Sequence, residues 1–226
     1  LLRLNETGTL ASTIAMSGGT LDSDESSTVS GALSHTADIT IDVNTGKTLT
    51  YSGAAISIGA NTITLSGGGT FSNVNNLVLS DPVSTLKLDG ISTVANVSVP
   101  VALSTGKLDV DQNSVIQSFL NSGSSRVDIL TGKNLSVTNG FEIPQNKSME
   151  LIGADGTLTL SDNLTLAGTL KFAVSGVLNS GTIYLNGGIL DIDENITISS
   201  NLVHSADSSI DILTGKSIKY TGQEFN

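Results

Sequence analysis

The sequence has no cysteine, so neither a disulfide framework nor thiol chemistry is available to it. That absence leaves its compartment open. Tryptophan is missing too, and the aromatics are five Phe and three Tyr. The apolar content is therefore almost all Leu, Ile, Val and Ala, which suits a narrow core of stacked aliphatic side chains. Proline occurs only at Pro82, Pro100 and Pro144, so no proline-rich hinge divides the chain. Basic residues are few: 10 Lys and Arg stand against 21 Asp and Glu, for a formal net charge of −11. A chain of this sign repels phosphate backbones and has no basic stripe, which excludes a nucleic-acid partner. No apolar run approaches the roughly 20 residues of a membrane helix, so no membrane span is expected. The chain opens at Leu1 without an initiator Met and stops inside a repeat at Asn226. It reads as a fragment of a longer repetitive protein.

What is present is repetition. Gly18 to Gly53 recurs, shifted by 169 residues and without a gap, as Gly187 to Gly222; of the 36 aligned pairs 19 are identical. A looser copy runs from Gly106 to Gly140. The phrase Asp-x-x-Thr-Gly-Lys marks all three copies, at Asp42–Lys47, Asp128–Lys133 and Asp211–Lys216. Its threonines are 86 and then 83 residues apart. Repetition at a fixed period signals stacked units, each unable to bury its apolar face alone.

Within the repeat, apolar residues alternate with small or polar ones. Leu158 and Leu160, Leu164 and Leu166, then Leu170, Phe172 and Val174 are the clearest case. Alternation over short runs bounded by Gly, Asn, Asp and Ser predicts half-buried strands. Only Ser114–Leu120 is arguable as a helix. From Leu135 the apolar beats begin near 135, 142, 150, 158, 164, 170, 177, 183, 189, 196, 202 and 210, and Ile218 then repeats Leu135. Twelve beats in 83 residues make four coils of three short strands, about 21 residues each. The fold predicted is an all-β parallel β-helix (β-solenoid), one continuous unit over 1–226, about 11 coils and about 50 Å long at one strand spacing per coil. A β-sandwich also has short alternating strands. Beats this close, with no break in the long repeat, favour the solenoid.

Certain phrases resemble a known group: Gly156-Thr-Leu-Thr-Leu-Ser161, Asn163-Leu-Thr-Leu-Ala-Gly168, Gly181-Thr-Ile-Tyr-Leu-Asn-Gly-Gly188 and Asn195-Ile-Thr-Ile-Ser199. They are similar to the passenger regions of bacterial autotransporters and to filamentous haemagglutinin-like adhesins of two-partner secretion. The resemblance implies a long parallel β-helix at the bacterial cell surface or outside the cell. The function expected is a stiff stalk of an adhesin or fibre. Its partners would be neighbouring coils and a cell-surface or polysaccharide receptor. The alternatives are a filament subunit stacking end to end and, behind it, a polysaccharide-active β-helix enzyme.

Candidate sites stand beside plainer readings. Asp22/Asp24, Asp109/Asp111 and Asp191/Asp193 hold equivalent places in the three copies. Alternation puts both carboxylates of a pair on one outer face. Together with Glu194 they are the candidates for weak calcium binding, since Ca²⁺ takes several oxygen ligands. Their plainer reading is a solvated acidic edge. No other metal or cofactor is expected. Thr-Gly-Lys lacks the flanking glycines of a phosphate loop and reads as a turn, with Lys47, Lys133 and Lys216 pairing across the corner with Asp42, Asp128 and Asp211. His35 and His204 read as turn residues, and Tyr51 and Tyr220 as core filling. Threonine pairs at 48/50, 62/64 and 157/159 raise ice binding, but their sequence intervals are irregular. Carboxylates repeated in every copy look architectural, whereas a catalytic site is used once. With Arg3 and Arg126 the only arginines, no enzyme activity is expected.

Overall fold

A computed structural model of the chain describes residues 1–73, 77–96, 101–179 and 181–223. Every named strand pairs with parallel neighbours, and the partners are third-next in the chain rather than adjacent. Three successive strands therefore make one coil. The first and second faces of the resulting rod are each an unbroken sheet of 11 strands. The third face is divided into sheets of 2, 4 and 4 strands. Eleven rungs make about ten turns of a parallel β-solenoid. No described residue is helical, and none belongs to a helix long and apolar enough to cross a membrane.

The strands form because alternation gives each coil an inward stripe. Gly156–Leu160, Leu164–Leu166 and Thr169–Phe172 bury every second residue, as their leucines require. Each beat expected from Leu135 onward falls in or beside a strand, from Asn134–Val137 to Ile218–Tyr220. Ser114–Leu120 is no helix: Ser114–Ile116 and Phe119–Asn121 are strands on the second and third faces. Period-two burial of Ser114 and Ile116 wins over any helical spacing there. Inward residues of successive rungs stack directly, for example Leu65 on Leu88 and Leu170 on Leu190. The core is thus a continuous aliphatic column, with Tyr51, Phe71 and Phe172 among its largest members.

The long repeat is four coils. Asp42, Asp128 and Asp211 lie on the third, seventh and eleventh rungs of the first face. Those rungs are special. Leu21 and Ser23 lie opposite Ile41 and Val43, but on the other side Ile39 and Ile41 lie opposite Ile63 and Leu65. The same happens four rungs on: Leu108 and Val110 face Val127 and Ile129, while Ser125 and Val127 face Met149 and Leu151. The sheet steps sideways by two residues each time. Val43 and Ile129 overhang the next rung, yet both stay buried. The next coil makes room with glycine. A Cβ on Gly67 would sit 2.4 Å from the Val43 carbonyl oxygen, and one on Gly153 would sit 2.2 Å from that of Ile129. No other residue fits such a gap.

The third face is interrupted between Phe119–Asn121 and Phe141–Ile143. There Phe119 and Phe141 pack edge to face with centroids 5.5 Å apart. That separation exceeds the ~4.8 Å of one rung, and the two rings bridge the gap where the strands do not pair. Asn121, buried inside the same coil, accepts from Ser125 and donates to the Ser148 carbonyl.

Candidate functional site

The acidic pairs lie where alternation puts them. Ser23, Val110 and Ile192, the residues between the carboxylates, are fully buried, so each pair points outward. The pairs occupy the second, sixth and tenth rungs of the first face. A base on the preceding rung stands opposite each: Arg3 opposite Asp22, Lys87 opposite Asp109 and Lys171 opposite Asp191. Arg3 Nε lies 3.3 Å from Asp22 and closer still to Asp24. Lys87 Nζ is 2.6 Å from Asp111, while Lys107 Nζ is 3.2 Å from Asp109 and 3.5 Å from Asp128. Lys171 Nζ is 3.5 Å from Asp191 and 2.7 Å from Asp193. Hydrogen bonds to Asp24, Asp111 and Asp193 raise the pKa values of Arg3, Lys87 and Lys171 respectively.

The chemistry of this arrangement is ion pairing between rungs. An ammonium or guanidinium group already lies against each pair, where an added cation would have to compete. Glu194, the remaining calcium candidate, binds Lys216 Nζ at 2.6 Å. Among the described residues, no three His, Cys, Asp or Glu side chains converge to hold a metal ion. Water and salt screen surface pairs of this kind, so each adds little to stability.

Beside these columns runs a corner stitched in both directions. The Thr-Gly-Lys turns place Gly46, Gly132 and Gly215 at φ of 76°, 71° and 83°, which glycine adopts without strain. Their lysines do pair, but not with Asp42, Asp128 and Asp211. Lys47 reaches Glu25 at 2.5 Å, Lys133 reaches the Gln112 side chain at 3.0 Å, and Lys216 reaches Glu194. Each partner lies one coil back. The aspartates remain on the first face, where Asp42 accepts from Ser66 and Asp128 faces Lys107. Next to each lysine partner, a short side chain accepts a backbone N–H of the following coil. Ser26 takes that of Thr48 at 3.1 Å, Asn113 that of Asn134 at 2.9 Å and Asn195 that of Ser217 at 3.0 Å. The turn threonines reach forward instead: Thr45 donates to the Gly67 carbonyl and Thr131 to that of Ala154. Sequence reasoning missed this clamp. Its signal was present, because Glu25-Ser26, Gln112-Asn113 and Glu194-Asn195 each directly follow an Asp-x-Asp pair.

The histidines are strand residues rather than turn residues. His35 ends Leu33–His35, and its ring nitrogens lie 3.1 Å from the carbonyl oxygens of Ala37 and of Ser57 on the next coil. His204 lies exposed within Asn201–Ala206. Tyr51 fills the core as expected but does more. Its hydroxyl accepts the Leu33 N–H at 2.9 Å and donates to the Ala54 carbonyl at 2.8 Å. Burial raises its pKa.

The threonines are more regular in space than in sequence. On the second face Thr9, Thr28, Thr50 and Ser72 form one column. Thr48, Thr70 and Thr93 begin another, which runs on through Val115, Ser136 and Thr159. Loops of unequal length absorb the irregular intervals. First-face columns carry charge instead, as in Lys107, Arg126, Glu150, Lys171, Asp191 and Asp211.

The fold and its periodic surface define a parallel β-solenoid of stacked coils, about 21 residues each. No family model, no curated protein and no solved structure matches the chain.

Proposed function

We propose that the chain is a structural rod segment of a bacterial surface or secreted protein, serving as a stiff stalk without catalysis. One observation carries this reading: the features that could have been chemical recur at the same place every four coils. The acidic pairs, their basic partners and the corner lysines each appear three times, and each joins one coil to its neighbour. A group used once per molecule would mark a reaction. A group used once per repeat marks construction. The acidic balance favours solubility of such a rod. Its resemblance to adhesin passenger regions supports a place outside the cell.

Electron microscopy of the purified chain tests the rod. Particles about 50 Å long, from eleven rungs at ~4.8 Å, are expected at every concentration. Compact globules would overturn the reading. Filaments that shorten on dilution would replace the stalk with an end-to-end assembly. Surface labelling of the producing cells tests the location, and protein confined to the cytosol would refute it.

A further inference from the structure

Charge is distributed unequally between the two continuous faces. Outward positions of the first face carry Arg or Lys on five of its eleven rungs and Asp or Glu on most of them. On the second face, the described outward side chains from Thr9 to Thr197 include no charged group, and Lys219 on the last rung is the first. Most are β-branched: Thr, with Val115 and Val177 in the same columns. Each offers a methyl group, and each Thr a hydroxyl that can both donate and accept. Such a sheet face packs well against another sheet.

We infer that the second face is the contact surface for a second copy of this chain, the two rods lying side by side. Three arguments favour a copy over other occupants. The first is charge. A rod of net charge −11 resists association, yet here its charges lie on the other face and along the corners. The first-face charges stand a core's thickness away from this contact, beyond a Debye length of ~8 Å at physiological salt, and the corner charges that border it are held in pairs within the chain, Lys47 with Glu25 and Lys216 with Glu194. The second is spacing. A second copy carries the same rung repeat, so the Thr-rich columns of the two copies meet rung for rung, and where Thr stands opposite Thr the hydroxyls can pair. The third is area. Ten steps of ~4.8 Å and a strand width of roughly 12 Å give about 600 Å² per partner, hence about 1,200 Å² in all. A specific interface needs about 1,000 Å².

The inference goes beyond the rod reading but rests on it for purpose, since pairing doubles the cross-section of a stalk. The test reads mass, not stiffness, so the two can fail separately. Sedimentation equilibrium of the 23.1 kDa chain from about 1 to 100 µM, a range that brackets ordinary interface affinities, should show a reversible dimer. Thr50→Lys with Val177→Lys puts like charges into the contact and should weaken dimerisation at least about tenfold. Thr64→Lys with Thr85→Lys makes the same charge change on the first face and should leave the dimer intact. Circular dichroism of both double variants confirms that the sheet is retained. A chain monomeric throughout this range overturns the inference, as does a dimer that survives the second-face lysines or is lost equally with the first-face ones. A monomer that slows ice recrystallisation also overturns it, and assigns the threonine columns to an ice surface.

Discussion

Tyr51 shows how a single side chain can replace part of a strand ladder. Its hydroxyl satisfies the N–H of Leu33, a residue itself only 6% exposed, and passes its own proton to Ala54. Tyr51→Phe keeps the bulk and leaves that N–H unpaired, so a loss of about 1–3 kcal/mol is expected in urea unfolding. A variant as stable as the parent would return Tyr51 to simple core filling. Titration adds a second expectation. Tyr51, Lys87 and Lys171 all have pKa values raised in the folded chain. Each therefore holds its proton more tightly folded than unfolded. Their contribution is complete below the unfolded values of about 10 and is lost as pH rises through the folded ones. The urea midpoint should hold level from neutrality to about pH 9.5 and fall above about 10. A midpoint that rises there would contradict the assignment.

At the scale of the element, the strands were legible and their joints were not. Alternation in Leu158, Leu160, Leu164 and Leu166 fixes which residues point inward, whatever the neighbouring coil does. The lysine partners depend on that neighbour. Lys47 lies 22 residues from Glu25, a separation set by the length of the coil between them and invisible to local pattern. Asp42, five residues away, looked the nearer partner in sequence but stays on a different face. Threonine intervals misled for the same reason, because unequal loops hide equal rungs. The overhang of Val43 and Ile129 was equally hidden, although Gly67 and Gly153 recorded it. Gly153→Ala would force a Cβ against the Ile129 carbonyl, so about 1–3 kcal/mol of overpacking is expected. Faster hydrogen exchange should centre on the seventh and eighth rungs. Gly8→Ala is the control, since a Cβ there has no heavy atom within 4 Å. Equal behaviour of the two variants would remove the steric account of the step.

At the scale of the whole molecule, four coils form a unit that can be taken out. Deleting 47–132 joins Gly46 to Lys133 and restores Thr-Gly-Lys, with Lys133 now opposite Glu25 in place of Gln112. The shortened chain should fold, keep its strand signal and lose about 19 Å of length, four rungs of ~4.8 Å. Failure to fold would mean that the copies are not interchangeable. This much of the architecture could be read in advance, because the period of 83 to 86 residues is a whole number of coils. The two-residue step that recurs with each unit could not, since only pairing between coils displays it.

The parallel ladders have a mechanical consequence. The hydrogen bonds of both continuous sheets run between coils, along the axis of the rod. A pull on the two ends therefore meets them one rung at a time, as in peeling, and not all at once, as in shear. Each coil that lets go gives up one rung of ~4.8 Å and releases about 21 residues, which extend to roughly 70 Å. Under tension the rod would pay out slack from its ends in steps while its middle stayed intact, and would wind it back when the pull ceased.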